Sequence, residues 1–108
     1  MKILLDECVT RRLKSYFPAH IVKTVTDQGW NGLKNGELMQ KAVSEQFDLL
    51  LSIDKNIQFQ HDIPKFDLII VVLDTPTSNV KDIAPLIPRL NERMQGFQKG
   101  NAYLVSGN

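Results

Sequence analysis

A chain of 108 residues, 43% of them hydrophobic, has the length of one domain and enough apolar side chains to bury a core, which excludes an intrinsically disordered protein. Its 13 Lys and Arg residues nearly balance its 12 Asp and Glu residues, so binding to nucleic acid would need a local basic patch. The single cysteine, Cys8, excludes an internal disulfide framework and a zinc cluster, and we expect a small buried or half-buried side chain there.

The sequence contains no sign of export or membrane insertion. The segment after Met1 lacks the apolar core and the small-residue cleavage site of a secretory signal. No apolar run approaches the roughly 20 residues that a helix needs to cross a bilayer. We therefore expect a cytoplasmic protein without a membrane partner.

The first half of the chain alternates short apolar runs with amphipathic segments. Apolar runs bounded by polar residues predict strands, and side chains that can accept a hydrogen bond from a free amide predict helix starts. In chain order the sequence predicts a strand over residues 2–5, a short helix capped by Thr10 and ending near Tyr16, a strand over 21–25, a loop over 27–34 and a helix capped by Asn35.

The second half continues the alternation. The sequence predicts strands over residues 48–53, 67–73 and 102–105, a turn over 75–78 and a helix over 79–95. The continuous apolar run before Asp74 is typical of a central parallel strand that is covered on both faces. Pro85 and Pro88 interrupt the helical pattern, so this helix either begins near Pro85 or is kinked there.

This order of strands and helices predicts a single α/β domain over residues 1–108. Alternating strands and helices favour a largely parallel sheet with helices packed on it. Connections between parallel strands are nearly always right-handed, and we expect the same here.

Two of the predicted strands end abruptly on a carboxylate. The first apolar run ends at Asp6, and the run that follows the middle helix ends at Asp54. Ligands of parallel sheets bind beyond the carboxyl ends of the strands, so these side chains are predicted to share one edge of the sheet. A simpler interpretation of each remains open: Asp6 as a turn or cap before Thr10, and Asp54 as part of a turn.

Four further residues near these strand ends could contribute oxygen ligands or orient them. Glu37 lies at a helix start, where it either completes an acidic cluster or only interacts with the helix dipole. Asn56 offers an amide oxygen to a hard cation, and Ser52 a hydroxyl that can orient a carboxylate or a water. Glu7 is either a supporting group or a solvated charge.

A cluster of carboxylates indicates a cation, because like charges at close range repel unless they are neutralised. Mg²⁺ prefers carboxylate oxygens and retains several waters, and it can polarise a phosphoryl oxygen. The predicted chemistry is therefore metal-assisted hydrolysis of a phosphodiester.

Three basic residues follow Asp6 closely and either contact phosphates or form a solvated helix face: Arg11, Arg12 and Lys14. Trp30 either stacks on a base or packs on the sheet, and packing is favoured.

Four segments resemble the short bacterial PIN-like domain proteins, which are related to PIN ribonuclease toxins of the VapC type. The segments cover residues 3–9, 20–25, 29–38 and 51–56, and the resemblance extends over essentially the whole chain. It implies a three-layer, Rossmann-like PIN fold with an acidic site at the strand ends.

The resemblance also implies a function and a set of site residues. Asp6 matches the acid after the first strand, Asp54 the later strand-end acid and Glu37 an acid near a helix start. Asn56 stands where many relatives have a second acid, so this chain has fewer negative charges there. By resemblance the protein is an endoribonuclease that uses Mg²⁺ or Mn²⁺, with RNA as substrate and a small antitoxin as partner. A homodimer is a further expectation.

Two other functions remain open. The neutral Asn56 and the balanced charge favour a catalytically degenerate PIN-like module that binds RNA or a protein partner. A phospho-acceptor receiver domain also has acids after its first and third strands. That domain needs a lysine near the end of its last strand, and residues 102–106 contain none.

Overall fold

The computed structural model describes residues 1–107 as one five-stranded sheet covered on both faces. All strand pairs are parallel, and the strand order is β2-β1-β3-β4-β5. The strands are β1 (Lys2–Leu5), β2 (Ile21–Thr24), β3 (Leu49–Ser52), β4 (Ile69–Leu73) and β5 (Ala102–Val105). The predicted α/β domain with a parallel sheet is therefore confirmed, and each of the five predicted strands is present.

Helical segments connect the strands. The α-helices are α1 (Val25–Gln28), α2 (Asn35–Ser44), α3 (Val80–Ile83) and α4 (Ile87–Met94), and 3-10 helices span Arg11–Tyr16, Lys55–Phe59, Ile63–Lys65 and Ala84–Leu86. None of the helices within residues 1–107 combines the length and the apolar character that crossing a bilayer would require.

The sheet buries two separate apolar clusters, one on each face, because successive strand side chains point to opposite sides. Ile3 and Leu5 of β1 belong to the cluster on the first face, beneath Arg11–Tyr16 and α3–α4. Leu4 belongs to the cluster on the second face, beneath α1, α2 and the 3-10 helices that follow β3. The architecture thus has three layers, as in Rossmann-like folds, and this expectation is also confirmed.

The four connections between strands do not share one hand. The connections β2–β3, β3–β4 and β4–β5 run in the same direction along the sheet, and β1–β2 runs in the reverse direction. The β1–β2 connection crosses the first face, and β2–β3 and β3–β4 cross the second, which gives these three the same hand. The β4–β5 connection runs in the same direction along the sheet as β2–β3 and β3–β4, but it crosses the first face, so it has the opposite hand. The prediction of uniformly right-handed crossovers is therefore wrong.

Burial explains the unusual β4–β5 connection. On the first face Val71, Leu73 and Val105 are covered by the segment from α3 to α4. The second face of β4 is already packed against Ile57 and Ile63 from the β3–β4 connection. Placing α4 on the second face would therefore leave the first face of β4 and β5 without its cover.

Two predicted boundaries differ from the structure near the second strand. Val25 was predicted in the strand but begins α1, because Thr24 accepts a hydrogen bond from the amide of Asp27 and the Asp27 carboxylate accepts one from the amide of Thr24. This reciprocal capping box starts a helix at the end of the predicted strand, and the helix extends into the predicted loop. Asn35 is not the cap of α2: Lys34 occupies that position without a side-chain hydrogen bond, and Asn35 is the first helical residue.

The helix predicted over residues 79–95 is broken into three consecutive segments. Pro85 lies in the first turn of Ala84–Leu86, and Pro88 lies in the first turn of α4. Proline is tolerated there because first-turn amides have no helical acceptor. The short helix after β1 begins as predicted, with the Thr10 hydroxyl accepting from the Arg12 amide at 3.3 Å, but it is a 3-10 helix.

Candidate functional site

The carboxyl ends of β1 and β3 form the centre of the candidate site. The chain leaves β1 towards the first face, where Val9 and Leu13 are buried, and it leaves β3 towards the second face, where Ile57 is buried. Neighbouring parallel strands whose connections diverge in this way open a crevice, and ligands of α/β sheets bind there. Asp6 directly follows β1, and its amide donates to the Leu51 carbonyl at 2.9 Å, which keeps Asp6 beside β3.

A buried hydroxyl connects the two strand ends. Ser52, the last residue of β3, is fully buried, and its Oγ donates to Oδ2 of Asp6 at 2.7 Å. Ser52 Oγ also accepts a hydrogen bond from the amide of Asp54 at 3.0 Å. A hydroxyl has one proton, so donating it to the carboxylate leaves the lone pairs for the amide. The sequence indicated that Ser52 could orient a carboxylate, and it contacts Asp6 in this way.

The Asp6 carboxylate is held from both sides by neutral donors. Its Oδ1 accepts from the amide of Glu7 at 2.8 Å, while Oδ2 accepts from the Ser52 hydroxyl and, at 3.8 Å, from the Cys8 thiol. An ionised carboxylate has about four lone-pair positions, so three hydrogen bonds leave acceptor capacity for a further ligand. Asp6 is half-buried and forms no ion pair within residues 1–107.

Asp54 combines a local role with its position beside Ser52. Its Oδ1 accepts from the amide of Asn56 at 3.0 Å, so it caps the 3-10 helix Lys55–Phe59. The interpretation of Asp54 as a turn residue is thus borne out. The other carboxylate oxygen, Oδ2, has no hydrogen-bond partner in the described part of the chain. This oxygen is the one that a cation could use.

No side-chain hydrogen bond connects Glu37 or Asn56 to Asp6 within residues 1–107. Glu37 lies exposed in the first turn of α2 and lines a shallow depression with Lys34 and Gln60. The Asn56 side chain is exposed beside Asp54. No hydrogen bond joins Glu37 to Asp6 or Asp54, and across residues 1–107 no three His, Cys, Asp or Glu side chains come together in a group that could hold a metal ion. The structure therefore brings together Asp6, Ser52 and Asp54.

Cys8 is a neighbour of the site that the sequence did not indicate. Its Sγ lies 3.8 Å from Oδ2 of Asp6 and 3.6 Å from Oγ of Ser52. The residue is exposed, so the expectation of a buried or half-buried cysteine is wrong. Its position two residues beyond a strand-end acid is the only sequence signal, and this spacing does not fix the direction of a side chain in a loop.

Glu7 and Trp30 both stabilise the surroundings of the site. The Glu7 carboxylate accepts from the amide of Gly32 at 2.8 Å, which ties the end of β1 to the loop before α2. Gly32 has φ +80°, a backbone region that favours glycine. Trp30 packs edge-to-face on Phe47 with ring centroids 6.0 Å apart, so its interpretation as a packing residue is confirmed.

Other strand-end acids are neutralised by lysines. Asp27 after β2 is 2.6 Å from Nζ of Lys14, and the pKa of its carboxyl is lowered to about 2, mainly by this hydrogen bond and then by the Thr24 amide. Asp74 after β4 is 2.6 Å from Nζ of Lys55, which lowers the pKa of that carboxyl too. Among residues 1–107, Asp6 and Asp54 are the strand-end aspartates without such a lysine partner.

A small cleft opens between the carboxyl ends of β1 and β2, next to Asp6. Its volume is about 190 Å³, and it is lined by Asp6, Glu7, Val9, Arg11, Thr24, Val25, Thr26 and Asp27. A larger groove of about 510 Å³ lies at the opposite end of the sheet, near Met1, and has no acidic residue in its lining. Of the three residues Asp6, Ser52 and Asp54, Asp6 therefore lines the smaller cleft.

Comparisons of the chain with protein-family models, with curated proteins and with solved structures find no match.

Proposed function

We propose that this chain is a PIN-like, metal-dependent ribonuclease that hydrolyses phosphodiester bonds with Mg²⁺ or Mn²⁺ held at Asp6 and Asp54. The observation that carries the proposal is the Ser52 hydroxyl, which donates to Asp6 at 2.7 Å and accepts from the Asp54 amide at 3.0 Å. Two carboxylate residues thereby lie at the carboxyl ends of β1 and β3, whose following connections leave towards opposite faces of the sheet. Ligands of parallel α/β sheets bind at such a position.

The distribution of lysines supports a cation at these two residues. Of the eight aspartates in the chain, five form ion pairs with lysine, namely Asp27, Asp48, Asp62, Asp67 and Asp74. Within residues 1–107 the remaining three, Asp6, Asp54 and Asp82, form none. Asp82 lies in α3 and accepts a hydrogen bond from the Thr77 hydroxyl. Lys55 is adjacent to Asp54 but pairs with Asp74 instead. The negative charge of Asp6 and Asp54, which follow strand ends, is therefore available to an external cation.

The donor set fits a hydrated hard cation. All candidate ligands are oxygens, and Mg²⁺ commonly binds through one or two carboxylates while waters and substrate phosphates complete its coordination. Ser52 and the Glu7 amide orient the Asp6 carboxylate, and the Asn56 amide orients that of Asp54. We assign the Asn56 side chain and Glu37 the task of completing the site or positioning the attacking water.

The chemistry at this site follows from charge. When bound, such a cation neutralises charge on the phosphodiester and makes a water more acidic. The residues of the chain hold the carboxylates in place before substrate arrives. We further propose a cytoplasmic protein with RNA as substrate and with a small antitoxin or a second copy of the chain as partner.

The direct test is cleavage of a panel of structured and unstructured RNAs in the presence of Mn²⁺. We expect the wild type to cleave and Asp6→Asn to be inactive, because an amide brings no negative charge to the cation. Asp67→Asn is the matched control, since it makes the same change at an exposed residue that precedes β4 at the other end of the sheet. Absence of metal-dependent cleavage by the wild type would remove the proposal.

A second candidate function is a degenerate PIN-like module that binds RNA or a protein without cleaving it. It is favoured by the neutral Asn56 and by the exposed position of Glu37, which has no hydrogen bond to Asp6 or Asp54 within residues 1–107. Calorimetric titration with millimolar Mn²⁺ separates the two functions, because the module needs no cation. Absence of binding heat, together with RNA binding, would favour the module.

A further inference from the structure

We propose that the cleft between the ends of β1 and β2 binds a phosphate group of the substrate, with the Arg11 guanidinium as its anchor. The inference deepens the proposed function and rests on it for the identity of the substrate. The cleft adjoins Asp6, so a phosphate held there would lie beside the candidate cation position.

The three basic residues that follow β1 differ in their contacts. Lys14 forms an ion pair with Asp27, with Nζ 2.6 Å from Oδ2. Arg12 does not line the cleft. Arg11 lines it, is exposed, and has no ion-pair or hydrogen-bond partner for its guanidinium within residues 1–107. Only Arg11 of the three therefore combines a free charge with a position in the cleft.

The carboxylates of the cleft do not form ion pairs with Arg11. Asp6, Glu7 and Asp27 all line the cleft, yet none is within ion-pair distance of the guanidinium. Asp27 is neutralised by Lys14, and Glu7 accepts from the Gly32 amide. A guanidinium offers five donors in a planar fork that matches two oxygens of a phosphate, and this geometry suits the unpaired Arg11.

One hydroxyl group in the lining has a proton to donate. Thr26 Oγ1 accepts from the Asn31 side-chain amide at 2.9 Å, and within residues 1–107 it donates its own proton to no group. The Thr24 hydroxyl, in contrast, is used by Asp27: it accepts from the Asp27 amide at 2.9 Å and forms a side-chain hydrogen bond that helps to lower the pKa of the Asp27 carboxyl. Thr26 can therefore donate to an anion, and together with Arg11 it gives the cleft donors of the kind that phosphate oxygens accept.

The volume limits what else could bind. About 190 Å³ corresponds to roughly six waters at about 30 Å³ each, which is room for a phosphodiester group and the edge of a ribose. No aromatic side chain lines the cleft, so it offers no stacking surface for a base. The chemistry indicates recognition of the sugar–phosphate backbone, without readout of base identity at this position.

The test is a titration followed by NMR, in EDTA so that no cation contributes. The probes are inorganic phosphate and a uridine dinucleotide with one phosphodiester, with chloride at the same ionic strength as the reference. In the wild type we expect saturable shifts at the amides of residues 24–27. Arg11→Gln should weaken binding by about tenfold, the loss typical of one charge-assisted contact, and Arg11→Lys should retain part of the affinity. Arg12→Gln is the matched control and should bind like the wild type.

Three outcomes would overturn the inference: equal weakening by Arg11→Gln and Arg12→Gln, shifts confined to residues outside the cleft, or no saturable shift. The result is separable from the proposed function. Phosphate binding in the cleft without Mn²⁺-dependent RNA cleavage would support the cleft and contradict the nuclease. Cleavage whose KM is unchanged in Arg11→Gln would support the nuclease and contradict the cleft.

Discussion

The Oγ of Ser52 lies 2.7 Å from Oδ2 of Asp6, although 46 positions separate the two residues in the chain. Ser52 is fully buried, so its hydroxyl has few other partners available, and it is the group that sets the direction of the candidate metal-binding carboxylate. The contact exists because β1 and β3 are neighbours, with Leu5 aligned to Leu51.

Replacing Ser52 by alanine tests this contact. Ser52→Ala removes the donor to Asp6 and the acceptor for the Asp54 amide, and we expect a loss of about 1–3 kcal/mol in the free energy of unfolding. Mn²⁺ affinity should also fall, because the carboxylate is no longer oriented. Urea unfolding and calorimetry measure the two effects. Ser44→Ala, at an exposed hydroxyl at the end of α2, is the control and should change stability by less than about 0.5 kcal/mol.

Metal binding should be visible as thermal stabilisation. A ligand that binds only the folded state adds about 2.7 kcal/mol at a concentration one hundred times its Kd. We expect Mn²⁺ to raise the Tm of the wild type and of Asp67→Asn, and to leave the Tm of Asp6→Asn unchanged. Differential scanning calorimetry with and without Mn²⁺ gives the measurement. An equal rise in Asp6→Asn would show that the cation binds elsewhere.

The pair Asp27 and Lys14 predicts how stability responds to acid. The pKa of Asp27 is lowered from 3.8 to about 2, first by the hydrogen bond from Lys14 and then by the Thr24 amide. Because the folded-state pKa is below the unfolded value, the stabilisation is complete above about pH 4 and is lost as the pH falls towards 2.

Urea midpoints of the wild type and Asp27→Asn across this pH range measure the effect. The wild type should be more stable than Asp27→Asn above about pH 4, and the difference should shrink towards pH 2. Other carboxyls, such as Asp48, also titrate in acid, but their contribution is common to both proteins. A difference that does not depend on pH would contradict the assignment of the lowered pKa to Asp27.

Two glycines in the same loop–helix segment should respond in opposite ways to alanine. Gly32 has φ +80°, so Gly32→Ala forces an unfavourable conformation and should cost about 1–2 kcal/mol, whatever space surrounds it. Gly36 lies in the first turn of α2 with a negative φ and no atom near a new Cβ, so Gly36→Ala should add about 0.5 kcal/mol. Urea unfolding of both variants checks the signs, and matching signs would contradict these backbone assignments.

Much of the fold could be predicted because the pattern of apolar and polar residues indicates which segments are buried. The run that forms β4 is continuously apolar, β3 is apolar up to its last residue, Ser52, and each strand is buried along its whole length. Asp6 and Asp54 could be placed at strand ends because the apolar pattern stops there. Helix starts were less predictable. The Thr24–Asp27 capping box starts α1 at Val25, the last residue of the predicted strand, because a local side-chain pairing outweighs the β-branched pattern of the preceding residues.

The sequence by itself determined that the chain is one α/β domain with a parallel sheet and with carboxylates at two strand ends, because these features depend on local patterns of apolar and polar residues. Only the tertiary structure decided that Ser52 contacts Asp6, that Lys14 pairs with Asp27 while Arg11 has no ion-pair partner in the described part of the chain, and that α4 covers the first face. These features depend on which strands are neighbours and which face each connection crosses. Burial of the whole sheet selects that arrangement, and no local segment encodes it.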